Sequence, residues 1–246
     1  MKRFKVTVSY DGSNYCGWQS QPNAKSVQKT IEDVLSKIHQ KPIFIVASGR
    51  TDAQVHAIGQ VFHFDTEKDI DDKQLMFSLN SMLPNDIRIK KVEEVGLDFH
   101  SRFHAISKRY DYVMTYDVQN PFIQKYEAKL FKQLNIDDMK ECSLLFLGTH
   151  DFTSFTSSKI DERKSRIKTI TRLDIIEEEK GLRFVFEGNG FLRYMVRMLS
   201  QTLIEVGKGN ISIEDVKIML EGKDKNLCRY KADPCGLYLV KVDYER

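Results

Sequence analysis

Hydrophobic and polar residues alternate in several segments of the chain, a pattern that is typical of half-buried β-strands. The first such segment covers residues 4–10, and the most regular covers 105–117, where Tyr110 and Tyr112 share a face. The same reasoning predicts a hairpin from two adjacent segments and four further strands. The hairpin is 170–178 with 182–187, and the other strands are 43–47, 58–65, 87–95 and 237–242.

Other segments repeat their apolar residues every three or four positions, which predicts amphipathic helices. Ser26 and Asp71 stand where N-caps are expected, and Pro84 ends the second helix. Three more helices are predicted over 136–147, 191–206 and 211–220. Because the strands and helices mix without regular βαβ repeats, we expect an α+β fold with mainly antiparallel sheet.

The chain has 246 residues, enough for two α+β halves of similar size, each a sheet covered by helices. The boundary falls near 99–105, where no Pro-, Gly- or Ser-rich linker is found. We therefore expect an N-terminal half over 1–104 and a C-terminal half over 105–246, joined through a tight interface.

Composition narrows the class of protein. Apolar residues make up 41% and charged residues 30% of the chain, which excludes a disordered or low-complexity protein. No apolar run reaches the roughly 18 to 20 residues that cross a bilayer, and residues 1–10 lack a secretory signal. We expect a soluble, cytoplasmic protein. Its four cysteines form no CxxC pair, so buried reduced thiols are expected and a metal site is not.

The net charge is only +3, but the charges are unevenly distributed. Residues 1–50 carry a net charge of +5 and residues 51–100 a net charge of −5. Arg193 and Arg197 are four apart and are expected on one face of a helix. A separate basic cluster consists of Lys159, Arg163, Lys164, Arg166, Lys168 and Arg172. Such clusters indicate a polyanion partner, although solvated surface is the alternative.

One loop stands out as candidate chemistry. Residues 48–57 lie between two predicted strands and place Asp52 two residues from Arg50. A nearby cation keeps a carboxylate ionised, and an ionised carboxylate can act as nucleophile or base. The alternative is an aspartate that caps a turn, with Arg50 as a surface charge; taken alone, the residues favour that alternative. The histidines show no spacing typical of metal sites or catalytic triads.

The same loop resembles the active-site loop of the tRNA pseudouridine synthase A family, whose pattern reads GRTDAGVHA. Other blocks resemble that family in the same order along essentially the whole chain. They are YDG at 10–12, GWQ at 17–19, LPNDI at 83–87, FHSRF at 99–103, KRYDY at 108–112, FTSF at 152–155, GNGF at 188–191, MVR at 195–197 and GLYL at 236–239.

The resemblance implies an isomerase that converts uridine to pseudouridine at positions 38, 39 and 40 of the tRNA anticodon stem-loop. It implies a homodimer, an active-site cleft between the two halves, and no cofactor or metal. The implied catalytic residue is Asp52. The implied substrate-binding residues are Tyr110 against the uracil, Arg50 in nucleotide extrusion, Arg197 paired with the catalytic carboxylate, and Leu237 in the uracil pocket. Phosphates would be bound by Lys159, Arg163, Lys164, Arg166 and Lys168.

Three departures from the family pattern leave an alternative open. Gln54 replaces a glycine that supplies positive φ or a close backbone approach. Ser200 and Gln201 replace a small apolar residue and a glycine, and Cys235 stands at a variable position. The alternative is a catalytically weak paralog that acts as a tRNA-binding module or folding chaperone. A glycosidase that uses Asp52 is a third hypothesis, but the motifs offer no second carboxylate for it.

Overall fold

The computed structural model describes residues 1–157 and 165–245, which form two compact units. The first unit is Met1–Ile106 together with the chain from Tyr238 onward, and the second is Ser107–Leu237. The first division therefore lies two residues beyond the expected 104/105 boundary. The closing strand adds a second division, because it belongs to the first unit.

The described residues form five α-helices and ten strands. The helices are α1 (Val27–His39), α2 (Asp72–Met82), α3 (Ile136–Ser143), α4 (Met195–Gly207) and α5 (Ile213–Gly222). The strands are β1 (Lys2–Tyr10), β2 (Val46–Ala47), β3 (His56–Thr66), β4 (Ile87–Val95), β5 (Ala105–Thr115), β6 (Ala128–Lys129), β7 (Gly148–Asp151), β8 (Ile167–Glu178), β9 (Gly181–Gly188) and β10 (Leu237–Tyr244). The predicted α+β class is confirmed.

The first unit is built on the strand order β4-β1-β3-β10. Strand β1 is antiparallel to both β3 and β4, and β2 is antiparallel to β3, whereas β10 pairs with β3 in parallel. Phe4, Phe62 and Trp18 are fully buried, and α1 adds Ile31 and Leu35 to this core. The side chain of Ser26 accepts from an N–H of the first turn of α1, as the sequence predicts for an N-cap.

The second unit is built on the antiparallel order β5-β9-β8-β7, with β6 parallel to β5. Strands β8 and β9 form the predicted hairpin. Phe184 and Phe186 of β9 are completely buried, as are Met195 and Leu199 of α4. The alternating apolar residues of β9 and the apolar stripe of α4 therefore both contribute to this core.

Two predicted elements differ from the structure. Of the strand predicted over 43–47, only Val46–Ala47 pairs with β3, because the N–H groups of Ile43 and Ile45 donate to the Ser36 and Glu32 side chains of α1. The helix predicted from residue 191 begins at Met195. The helix begins later in the chain than predicted because Tyr194 adopts a left-handed backbone conformation, with φ of 67°.

The cysteines follow the expectation only in part. Cys142 and Cys228 are buried free thiols, whereas Cys16 is exposed and Cys235 is half-buried. Cys16 lies in the irregular segment between β1 and α1, where no apolar stripe carries it into the core. No helix within residues 1–157 and 165–245 is long and apolar enough to cross a membrane.

Candidate active site

Asp52 begins a four-residue turn that links β2 to β3. The Val55 N–H donates to the Asp52 carbonyl at 3.2 Å and closes the turn. Gln54 occupies the third position of the turn with φ of 64°, the positive value that type II turns require there. This is the backbone that the glycine of the family pattern would supply. The Asp52 side chain is half-buried, while Gln54 is exposed.

The segment that follows β1 packs against this turn and hydrogen-bonds to it. The Trp18 N–H donates to the Thr51 carbonyl at 3.1 Å, and the Gln54 N–H donates to the Tyr15 carbonyl at 3.2 Å. Gly17 has φ of +91°, and a Cβ there would lie 2.7 Å from the Thr51 carbonyl oxygen and 3.0 Å from the Asp52 carbonyl carbon. Only a glycine therefore lets this segment approach the turn so closely.

Buried side chains fix both ends of the loop. The hydroxyls of Tyr10 and Thr51 share a 2.8 Å hydrogen bond, and burial raises the pKa of Tyr10, which keeps it neutral. Gln60 is completely buried and donates to the Gly49 carbonyl at 3.0 Å. His56 Nδ1 accepts from the Gly12 N–H at 3.1 Å. The loop backbone is thus held on both sides of Asp52.

Arg50 differs from these buried supports. Its side chain is exposed, and its guanidinium has no hydrogen bond or ion pair with the part of the chain that the structure describes. A guanidinium in this situation is available for an anionic or planar partner such as a nucleotide. The structure thus keeps Asp52 and Arg50 on one loop, with one half-buried and the other exposed.

In the second unit, β5 presents Tyr110 and Asp111 on opposite faces, as adjacent strand residues must be. Tyr110 is buried, and the Phe191 ring meets it edge-on with centroids 5.3 Å apart. Asp111 is also buried, and its carboxylate accepts two hydrogen bonds from Arg109 at 2.8 and 2.9 Å. The ion pair therefore lies on the face of β5 opposite to the Tyr110 ring.

Arg197 lies in the first turn of α4 and is only 8% exposed. Its Nε donates to the Ala232 carbonyl at 2.7 Å, and the Ala232 N–H donates to the Arg197 carbonyl at 3.0 Å. These two bonds fasten the segment before β10 to α4. A buried, permanently charged guanidinium held in this way can stabilise a developing or fixed negative charge.

The segment before β10 also contacts β5. The Tyr112 hydroxyl donates to the Asp233 carbonyl at 3.1 Å, and a Cβ at Gly236 would lie 2.5 Å from the Val113 carbonyl oxygen. Leu237 follows directly and is 5% exposed. Within the second unit, the segment that ends in Leu237 thus contacts both the helix of Arg197 and the strand of Tyr110.

The predicted phosphate-binding cluster is only partly described. Lys159, Arg163 and Lys164 lie outside the described residues. Arg166 and Lys168 are half-buried at the start of β8, and burial lowers the pKa of Lys168. The Arg166 carbonyl accepts from the Phe152 N–H at 3.1 Å, which ties the described end of the cluster to the second unit.

Tyr194 is a residue that the sequence reasoning missed. It stands between Arg193 and Arg197, which were expected on one helix face. That expectation is wrong, because Arg193 precedes α4, yet both guanidinium groups lie against the Tyr194 ring. An aromatic residue flanked by arginines was the available signal.

Comparison with known proteins identifies the family. A family model described as tRNA pseudouridine synthase matches residues 6–104 and 143–245. The chain belongs to the tRNA pseudouridine synthase family. A tRNA pseudouridine synthase A from Listeria monocytogenes is 45% identical over 249 residues, with all of both chains covered. One from an Exiguobacterium species is 42% identical over 246 residues, covering 100% of this chain and 99% of its own.

Membership of the tRNA pseudouridine synthase family makes the chain an isomerase and confirms the resemblance seen in the sequence. The full-length relatives do not favour the alternative of a non-catalytic tRNA-binding protein. Among solved structures, a Cbf5-Nop10-Gar1 complex aligns with a TM-score of 0.41 and 10% identity, covering 96% of this chain and 57% of that chain.

Proposed function

We propose that this tRNA pseudouridine synthase modifies uridines 38, 39 and 40 of the anticodon stem-loop and that Asp52 is its catalytic residue. The observation that carries the proposal is the turn at Asp52, which is hydrogen-bonded on both sides of a half-buried carboxylate. A carboxylate held in one place can meet the same ribose atom in every turnover.

The reaction breaks the bond between N1 of uracil and C1′ of ribose and joins C1′ to C5, after which the C5 proton leaves and N1 takes up a proton. Asp52 either attacks C1′ or removes the C2′ proton, and both routes need the carboxylate to be ionised. Arg197 supplies the positive charge that favours the ionised form. Nothing is oxidised or hydrolysed, so the proposed reaction uses no cofactor.

The remaining residues hold the substrate. Tyr110 lies against the uracil and acts as the general base for the C5 proton: its oxygen takes that proton while its own hydroxyl proton passes to solvent. Leu237 provides an apolar wall of the base pocket. The target nucleotide must leave its stack, and the exposed Arg50 fills the vacated space with a planar guanidinium. Arg166 and Lys168, with the rest of the basic cluster, bind phosphates of the RNA. We propose that the enzyme is a cytoplasmic homodimer in which one tRNA contacts both subunits.

Replacing the proposed catalytic carboxylate tests the function directly. Asp52→Asn and Asp52→Ala are expected to abolish tritium release from tRNA labelled at C5 of uridine, because neither side chain can attack or take a proton. Both variants are expected to keep most of the affinity for tRNA, since a carboxylate does not neutralise phosphates and so contributes little to backbone binding. Carbodiimide mapping of the wild-type product is expected to place pseudouridine at positions 38 to 40.

Asp33→Asn on the surface of α1 is a matched control, because it removes an exposed carboxylate whose partner is Lys29. It is expected to retain wild-type activity. Tritium release by Asp52→Ala at the wild-type rate would remove Asp52 from the mechanism. Tight tRNA binding with no tritium release by the wild-type protein would favour the binding-module alternative, and release of free uracil would favour a glycosidase.

A further inference from the structure

Three cationic side chains surround one aromatic ring at the start of α4. The Nζ of Lys231 lies 4.7 Å from the centroid of the Tyr194 ring, the Cζ of Arg193 lies 4.8 Å away, and the Cζ of Arg197 lies 5.5 Å away. All three distances are within the range of favourable cation–π interactions. The ring is therefore placed among the positive charges of this part of the second unit, with Arg197 the most buried of the three.

The backbone of Tyr194 adopts a conformation that is locally unfavourable for tyrosine. Its φ of 67° and ψ of −4° are left-handed values, which asparagine or glycine adopts more readily than tyrosine. Tyr194 is the N-cap of α4, but its side chain makes no capping hydrogen bond. The side chain is therefore not explained by helix capping, and strained residues of this kind are concentrated at functional sites.

Arg197 needs an orienting contact because a guanidinium on a long side chain has many rotamers. The Ala232 carbonyl accepts from its Nε at 2.7 Å and fixes one edge of the group. The Tyr194 ring contacts the same guanidinium from one turn earlier in the chain, where Arg197 is only 8% exposed. A cation–π contact strengthens when the cation is removed from water.

We propose that Tyr194 is a positioning residue for Arg197, whose guanidinium its ring holds in the orientation needed for catalysis. The proposal rests on the role proposed above for Arg197. The ring and not the hydroxyl carries the effect, because the Tyr194 hydroxyl accepts its hydrogen bond from the exposed Arg193 at 3.0 Å.

Three substitutions of Tyr194 separate the effect of the aromatic ring from the effect of the left-handed backbone. Tyr194→Phe keeps the ring, Tyr194→Leu keeps bulk without a π face, and Tyr194→Asn relieves the left-handed backbone but has no ring. In the tritium-release assay, Tyr194→Phe is expected to retain the wild-type kcat. Tyr194→Leu and Tyr194→Asn are expected to lose about tenfold in kcat with little change in KM, as the loss of a partly desolvated cation–π contact implies.

Thermal unfolding distinguishes the positioning role from a merely structural role, because a structural role would lower activity and stability together. Tyr194→Asn is expected to unfold at or above the wild-type temperature, because asparagine tolerates positive φ. Activity that follows stability, with Tyr194→Asn fully active, would overturn the proposal. Tyr230→Leu is the control for loss of a nearby half-buried tyrosine and is expected to leave kcat unchanged.

A double-mutant cycle with Arg197→Lys distinguishes this proposal from the one on which it rests. If Tyr194 acts through Arg197, adding Tyr194→Leu to Arg197→Lys is expected to cause little further loss of kcat. Full activity of Arg197→Lys and Arg197→Ala would refute the role of Arg197 itself. A large loss in the Arg197 variants with none in Tyr194→Leu would refute only the positioning role.

Discussion

The Asp52 turn contains a residue whose conformation is unfavourable for its type. Gln54 has φ of 64° and an exposed side chain, so nothing in its burial offsets the left-handed backbone. The sequence departs from the family pattern at this position, where the family has glycine. The structure supplies the physical reason, because the third residue of this turn needs positive φ.

Gln54→Gly is therefore expected to raise the free energy of unfolding by about 0.5 to 1 kcal/mol, since glycine removes the backbone strain but adds chain entropy to the unfolded state. Chemical denaturation would measure the change. Gln74→Gly, in the exposed first turn of α2, is the matched control and is expected to lower the free energy of unfolding by up to about 1 kcal/mol. A loss of stability in both variants would contradict this account of the turn.

At the scale of elements, α4 carries a hydroxyl in its buried face. Ser200 is completely buried, and its Oγ has no hydrogen-bond partner in the described parts of the chain. The family pattern has a small apolar residue at this position. Burying an unpaired hydroxyl opposes folding. The apolar packing of the neighbouring residues of α4 offsets this cost.

Ser200→Ala is expected to stabilise the protein by about 1 kcal/mol, because it removes an unpaired buried hydroxyl without leaving a large cavity. The control is Ser143→Ala in α3, where the buried hydroxyl donates to the Lys140 carbonyl at 2.7 Å. That variant is expected to be neutral or less stable in urea denaturation. Equal shifts of the same sign in the two variants would contradict the assignment of Ser200 as unpaired.

Elements whose signals are local were predicted well from the sequence. The N-caps Ser26 and Asp71 mark the observed starts of α1 and α2, and alternation predicted the β8–β9 hairpin. The start of α4 was wrong because apolar spacing continues through residues whose backbone is not helical. The strand over 43–47 was too long because side chains of α1 capture its N–H groups, a contact that sequence spacing does not reveal.

The candidate site was predictable only in part for the same reason. Asp52 and Arg50 belong to one recognisable segment, so their proximity follows from the sequence alone. The supports from Gly17 and Gln60 are long-range contacts of backbone and buried side chains, and no periodic pattern marks them. Tyr194 was not predicted because its proposed role depends on a left-handed backbone angle that tyrosine does not favour.

At the scale of the whole molecule, stability is expected to depend on pH through His63. Burial, with a smaller contribution from Arg3, lowers the pKa of His63 from 6.5 to about 4, and its Nδ1 accepts from the Ser101 N–H at 3.2 Å. The unfolded state therefore binds this proton more tightly than the folded state does. The contribution is complete above pH 6.5 and is lost progressively as the pH falls from 6.5 towards 4.

His63→Gln is expected to flatten this part of the profile of unfolding free energy against pH, because glutamine can still accept from Ser101 but does not titrate. Denaturant titrations at intervals between pH 7 and pH 4 would measure it. His100, whose pKa burial also lowers, is present in both proteins and serves as a common background. Parallel loss of stability in the two proteins would exclude His63 as the source.

Binding of tRNA is expected to weaken with salt in proportion to the phosphates contacted. Replacing Arg166 and Lys168 together with alanine is expected to reduce the slope of log affinity against log salt by about one unit for each lost contact. The pair Lys29 and Lys37 on α1 is the control for loss of two lysine charges elsewhere. An equal effect of both double variants would mean that only net charge, and not this cluster, determines the slope.

The contacts from Tyr15, Gly17 and Trp18 to the turn at Asp52 have a consequence for the energetics of the proposed reaction. Because this backbone is already ordered in the free protein, it gains little further order when the substrate binds. The enzyme therefore loses little conformational entropy in forming the complex. In the proposed reaction, the free-energy cost of distortion then falls on the tRNA, from which the target uridine must be unstacked. Target stems that are easily distorted are accordingly expected to be the better substrates.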